Sequence, residues 1–182
     1  MNEVWIYTQS AVSWNQAKIW AGYFTKLQTI LNFPLTHLDD RDPVRRKVDS
    51  LESVGEFICA FERRQNSRWV YGKFGKSQIT FSIDHHREID SFINTITWHL
   101  PQHFAETPQG REQLEQLFNL GIQTFKPFCA DCDALSAYKK IEKVFSSSTY
   151  CELLGLFWLT YFNDAYVDFF GKTKLESILG ST

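Results

Sequence analysis

The 182-residue chain is predicted to fold as α+β, with a largely antiparallel sheet and helices packed on it. Three observations predict this. Runs rich in β-branched and aromatic residues crowd the first hundred positions, and some alternate apolar with polar residues as a half-buried strand does. Short, turn-rich joins separate several of these runs, which favours antiparallel neighbours. Other stretches repeat apolar residues every three to four positions, the period of a helix with one buried face. The first hundred residues read β-α-β-β-β-α, and residues 1–182 are expected to form one domain, given the usual domain size.

The first expected strand is EVWIYTQ, Glu3 to Gln9. Ser13 and Gln16 follow with the spacing of a capping box, in which each side chain satisfies the other's backbone amide. Behind them Trp14, Ala17, Ala21, Phe24 and Leu31 recur at helical spacing, so a helix is expected over 14–31, ended by Asn32 and Pro34. The charged stretch HLDDRDPVRRKVDSLES reads as a surface loop, with a short helical turn after Pro43. Three strand-like runs come next: GEFICAFERR, RWVYGKF and SQITFSI. Their joins, QNS and GKS, suit a meander. Ile89, Phe92, Ile93 and Ile96 then mark a helix that stops before Pro101.

A second long helix is expected through Leu114, Leu117, Phe118, Gly121, Ile122 and Phe125, and a shorter one over ALSAYKKIEKVF. The apolar run LLGLFWLTYF ends at Phe162, because Asn163 and Asp164 follow. That is shorter than the roughly 20 apolar residues a membrane-crossing helix needs. Its lack of alternation reads as a late strand buried on both faces, with Trp158 and Phe162 in the centre of the sheet. Asn163 or Asp164 then caps a short helix, AYVDFFG, closed by Gly171.

Composition excludes several function classes. A net charge of -2 offers no basic face for bulk DNA or RNA. MNEVWIYTQS reads as a strand rather than a secretory leader, and four cysteines are too few for a disulfide scaffold, so a cytoplasmic protein with reduced thiols is expected. The motifs with chemical potential each have a plainer explanation. GKFGKS lacks the first glycine of a phosphate loop, where Val70 stands, and fits a hairpin turn. Cys129 and Cys132 form a lone CxxC with no second ligand pair, so no metal and no cofactor are expected. His99 and His103 have zinc-protease spacing, but Pro101 interrupts them and Leu100 stands where a general base belongs. Asp84, His85 and His86 follow a strand and open an expected helix. Asp84 suits a cap there, and a small enzyme built on this loop is the alternative.

The surface with most scope for partner binding is the loop of Asp39, Asp40 and Asp42 with Arg41, Arg45, Arg46 and Lys47. Arg63, Arg64 and Arg68 are expected beside it at a hairpin tip. The loop's acids suit a basic partner such as a nuclease, and its arginines suit an acidic one.

The element GLFWLTYFNDAYVDFFG resembles the strand, turn and short helix of the immunity protein 52-like group, through Gly155, Trp158, Leu159, Thr160, Tyr161 and Gly171. The break Phe125-Lys126-Pro127-Phe128-Cys129 before it is similar too. Members of that group are found beside bacterial polymorphic or contact-dependent toxins. The resemblance implies an α+β fold, neutralisation of a cognate toxin by binding, and no catalytic residue. On this reading the chain is a non-catalytic protein-binding protein that blocks a toxin's active surface. An enzyme using the Asp84–His86 loop and an aromatic-lined small-molecule binding module are the alternatives.

Overall fold

In the computed structural model the described residues are 3–63, 69–88, 91–135 and 157–179. Seven strands lie among them: β1 (Glu3–Ser10), β2 (Leu35–Asp39), β3 (Trp69–Phe74), β4 (Thr80–Glu88), β5 (Ser91–Pro101), β6 (Cys129–Ala134) and β7 (Leu159–Phe162). They form one sheet in the order β2-β3-β4-β5-β1-β6-β7, and every neighbouring pair is antiparallel. The fold is α+β, as the sequence predicts. The helices are α1 (Ala17–Leu31), α2 (Leu51–Glu62), α3 (His103–Glu106), α4 (Pro108–Phe125), α5 (Asp164–Phe170) and α6 (Lys172–Leu179).

The core lies on one face of the sheet. Alternate residues of each strand point there: Val4 and Ile6 of β1, Val70 and Phe74 of β3, Phe81 and Ile83 of β4, Ile96, Trp98 and Leu100 of β5. Trp20, Phe24 and Leu27 of α1 meet them, with Ile58 of α2 and Phe125 of α4. Phe125 stands in the middle of a ring cluster, with centroids 4.6 Å from Trp14, 5.0 Å from Trp20 and 4.6 Å from Tyr23. Such clusters add to plain area burial when rings meet edge-on or tilted. Helices α1 and α2 approach so closely that a Cβ on Gly55 would overlap the Ala17 carbonyl, so only glycine fits there.

Four sequence expectations change. GEFICAFERR is mostly helix, not strand. It is the second half of α2, whose capping box is Ser50 with Ser53 and whose buried side includes Val54, Ile58 and Phe61 at helical spacing. The stretch expected as a helix through Ile93 and Ile96 is the long strand β5. Its Ile-Asn-Thr-Ile-Thr-Trp run is rich in branched side chains that prefer the pleat, and pairing with β1 on one side and β4 on the other holds all of it extended.

The expected capping box at Ser13 does not form. Helix α1 starts at Ala17, behind Gln16, with no side-chain cap. The Ser13 hydroxyl instead donates to Glu62 Oε1 at 3.0 Å, tying the helix approach to the end of α2. Trp14 precedes the helix, buried, and its carbonyl accepts from the indole of Trp20 at 2.9 Å.

The late strand is also corrected. Among the described residues β7 is an edge strand, four residues long and half-buried throughout, and Trp158 just before it is 44% exposed. Leu159 and Tyr161 pack on the core, while Thr160 and Phe162 take the other face. A short edge strand does not need polar alternation to be exposed, which is why the apolar run misleads. The turn behind it forms as expected. The Asn163 side chain accepts from the Tyr166 amide at 3.0 Å, and Gly171, at φ 83°, closes α5. The expected helix ends at Asn32, whose φ of 57° is left-handed. In the stretch expected as a helix over 134–145, residues from 136 onward lie outside the described residues.

Candidate functional site

The charged loop begins inside β2 rather than before it. Asp39 is the last residue of that strand, opposite Tyr71 of β3. The chain then turns through Asp40–Val44 and comes back along β2. The Leu38 amide donates to the Arg46 carbonyl at 2.9 Å, the Val48 amide donates to the Thr36 carbonyl at 2.9 Å, and Lys47 bridges His37. The returning segment thus covers the outer edge of β2, a place where an open edge invites unwanted pairing.

One side chain organises the turn. The Asp39 carboxylate accepts from the amide of Asp40 at 2.9 Å through Oδ1, and from the amides of Arg45 and Arg46 at 3.1 and 3.2 Å through Oδ2. Desolvation is the largest single influence on this carboxyl and pushes its pKa up. The backbone donors from Arg45, Arg46 and Asp40 together outweigh it and hold the group below its ordinary value. Asp39 is therefore a structural member of the loop rather than a free contact. The Asp42–Pro43 peptide is cis. Around the turn Asp39, Asp40, Arg41, Asp42, Pro43 and Arg45 line an open pocket.

Charges of both signs stay mixed around the turn, where Arg41 and Arg45 line the same pocket as Asp39, Asp40 and Asp42. The guanidinium of Arg46 lies 4.5 Å from the ring centroid of Phe57 on α2, so this cation is drawn to the helical side of the sheet. Arg41 leans on Asp40 at 3.8 Å, an exposed pair of little energetic weight. Burial raises the Tyr71 hydroxyl above its ordinary pKa, and the charges of Asp42 and Asp84 add to the rise.

The arginines expected beside this loop are placed differently. The segment before them is α2, so it is not the first strand of a hairpin. Arg63 caps the C-terminus of α2 and donates from Nε to Asn15 Oδ1 at 3.2 Å. Arg64 and Arg68 lie outside the described residues.

The Asp84-His85-His86 triplet does not open a helix. All three residues belong to β4. Successive strand residues point to opposite faces, so Asp84 and His85 cannot act together on one substrate atom. His85 is buried on the helical side and its Nδ1 bonds to Asn94 Oδ1. Asn94 donates from Nδ2 to the Val12 carbonyl at 2.8 Å, which orients its amide, so His85 Nδ1 is the donor of that pair. Phe61 packs on the ring.

Cys129 and Cys132 both lie on β6, three residues apart, and so face opposite sides of the sheet. At roughly 3.3 Å per residue their Cα atoms are about 10 Å apart, too far for a disulfide. Burial pushes each thiol up to about 12, with Asp131 adding to the shift in both cases. Neither thiol is a ready nucleophile at neutral pH. Among the described residues no group of three or more His, Cys, Asp or Glu side chains is placed to hold a metal ion, and no helix is long and apolar enough to cross a membrane.

The fold has a counterpart among solved structures. It is similar to that of the T6SS protein PA0821 of Pseudomonas aeruginosa, with a TM-score of 0.50 and 13% sequence identity. The likeness covers 73% of this chain and 40% of that one, so the matched part is less than half of the neighbour's length. At that identity the likeness shows the fold alone. No protein-family model matches the chain, and a comparison with curated proteins finds no match.

Sequence reasoning missed two residues on the loop's flank. Trp69 and Tyr71 of β3 share the parity of Lys73, while Val70, Gly72 and Phe74 point to the core. The alternation in RWVYGKF carries this signal, because Lys73 marks the solvent face.

Proposed function

We propose that this chain is a non-catalytic protein-binding protein of the immunity type, which neutralises a cognate bacterial toxin by covering its active surface through the loop Asp39–Lys47. The observation that carries this reading is the construction of the loop. Three backbone amides on one carboxylate, a bridged return along β2 and an arginine seated on Phe57 hold a charged segment in one shape before any partner arrives. Preorganisation lowers the ordering cost of association, and charge at the rim speeds encounter. Two further points support it. The sequence element Gly155–Gly171 resembles that of the immunity protein 52-like group. The fold is also shared with a protein whose name places it in a type VI secretion system.

The test is co-expression with a toxin encoded beside this gene. The chain should restore growth and co-purify with the toxin. Asp40→Lys with Asp42→Lys should then slow association at low salt, and less so at high salt, where exposed charges are screened. Asp39 stays unchanged in this variant because it builds the loop. Persisting toxicity and no complex would overturn the reading. Equal association rates at low salt would remove the loop as the contact.

A further inference from the structure

The chain that returns along β2 has one anchor outside the sheet. Val44–Val48 runs beside β2 and is tied to it by backbone bonds. The Leu38 amide donates to the Arg46 carbonyl and the Val48 amide to the Thr36 carbonyl, both at 2.9 Å. At the turn end the Asp39 carboxylate accepts from the Arg45 and Arg46 amides at 3.1 and 3.2 Å. Each of these ties runs to β2. The Arg46 side chain goes elsewhere, to the ring of Phe57 on α2, with its Cζ 4.5 Å from the centroid. Arg46 therefore fastens the segment three ways, through its amide, its carbonyl and its guanidinium. Phe57 is half-buried and packed against the core, so the ring is held in place. Arg45, Arg46 and Lys47 are exposed. A segment with few apolar contacts and solvent-facing backbone bonds opens more readily than the sheet it lies on. What it covers is the outer edge of β2, whose backbone groups would otherwise be open to pairing.

We infer that Phe57 is a positioning residue for the contact loop: it catches the Arg46 guanidinium and so holds Val44–Val48 as a strap closed over the edge of β2. The chemistry suits the task. A guanidinium is planar, stacks on an aromatic face and is more weakly hydrated than an ammonium, so it can lie on Phe57 while the backbone of the same residue stays bonded to β2. Closed, the strap fixes the turn that carries Asp40, Arg41 and Asp42. Open, it loses the Leu38 bond and the Arg46 bond to Asp39 together, because both run through the Arg46 backbone. Helix α2 thus sets the shape of a loop that lies outside it. The inference deepens the proposed function and rests on it for its use. A partner that recognises the closed loop meets it already shaped, and by linkage its binding holds the strap shut.

The experiment follows amide hydrogen exchange in the whole ¹⁵N-labelled chain. The Leu38 and Val48 amides report on the strap, since they donate across it. The Ile83 amide, in a strand paired on both sides, reports on the sheet. Arg46→Gln removes the cation at an exposed position, and Phe57→Leu removes the ring face while keeping an apolar side chain. Each should speed exchange at Leu38 and Val48 roughly two- to fivefold, the factor that one exposed cation–ring contact supports. The double variant should exchange no faster at these amides than the faster single variant, because one contact can be lost only once. Phe57→Tyr keeps the ring and should stay at the wild-type rates. Arg46→Gln should leave Ile83 unchanged. Leu38 and Val48 rates that Arg46→Gln does not move, effects of the two substitutions that simply multiply, or an equal rise at Ile83 in Arg46→Gln each overturn the latch. Toxin binding separates the two ideas. Exchange at Leu38 and Val48 should slow further in a complex with the cognate toxin. A toxin that slows both amides in a chain whose latch variants exchange as the wild type does sinks the latch and leaves the immunity reading. Latch variants that behave as expected in a chain that gives no toxin protection sink that reading and leave the latch.

Discussion

Asp39 shows how much one side chain can organise. Its two oxygens satisfy three amides that would otherwise turn outward without partners in a tight loop. Hydrogen bonds to a charged acceptor are worth about 1.5–3 kcal/mol each when buried and less at a surface such as this. Asp39→Asn keeps the shape but loses the charge, and it should lower stability by about 1 kcal/mol while loosening the Arg45 and Arg46 amides. The pH dependence follows from the direction of the shift. A carboxyl whose folded pKa lies below its ordinary 3.8 adds stability above that value, and the contribution is lost as pH falls through the lower, folded value. An NMR titration should therefore show the Arg45 and Arg46 amide shifts moving together with a midpoint below 3.8. A midpoint at or above the ordinary value would show that the carboxylate does not hold the loop. His85 makes the opposite point. The sequence places it beside two titratable neighbours, yet the strand turns it into the core against Asn94 and Phe61.

At the scale of elements, legibility followed the competition between periods. β1, α4 and the α5 turn were readable because one pattern dominates each: a run of β-branched and aromatic residues, long helical spacing, and an Asn cap with a closing glycine. β5 was not, because its isoleucines at 93 and 96 happen to fit a helix. Only its pairing on both sides decides for the strand. α2 was misread although Leu51, Val54, Ile58 and Phe61 carry a helical stripe, since Phe57 and Ile58 locally imitate a strand. The loop's sequence announced a charged surface, but not that Asp39 is spent on the backbone or that Trp69 and Tyr71 stand beside it. Register is a tertiary property, and no local pattern encodes which strands become neighbours. The late aromatic element was overrated as core, and the difference is measurable. Phe125→Ala removes the centre of the ring cluster and should cost about 3–5 kcal/mol. Trp158→Ala, at a 44% exposed site beside an edge strand, should cost about 1 kcal/mol. Urea unfolding of both variants checks this, and equal losses would restore Trp158 to the core.

Across the whole molecule, the layer arrangement holds several weak acids in their neutral forms. Desolvation is the largest cause for all four of Tyr7, Tyr23, Cys129 and Cys132. It raises Tyr7 and both thiols to about 12 and Tyr23 further, with the Asp131 charge adding to the shifts of Tyr7, Cys129 and Cys132. The sign follows directly. Their folded pKa values lie above the unfolded ones, near 9.0 for the thiols and 10.0 for the tyrosines, so between those limits the folded chain keeps protons that the unfolded chain releases. Stability is then fully present below pH 9 and declines as pH rises towards 12. At pH 10 the four groups together should remove about 3 kcal/mol, the thiols accounting for most of it because they titrate first when unfolded. Urea denaturation at pH 7.5 and pH 10, in reductant throughout, measures the loss. The double variant Cys129→Ala, Cys132→Ala should flatten the dependence by more than half, whatever it does to stability at pH 7.5. A wild-type chain as stable at pH 10 as at pH 7.5 would mean that water reaches these groups in the folded state.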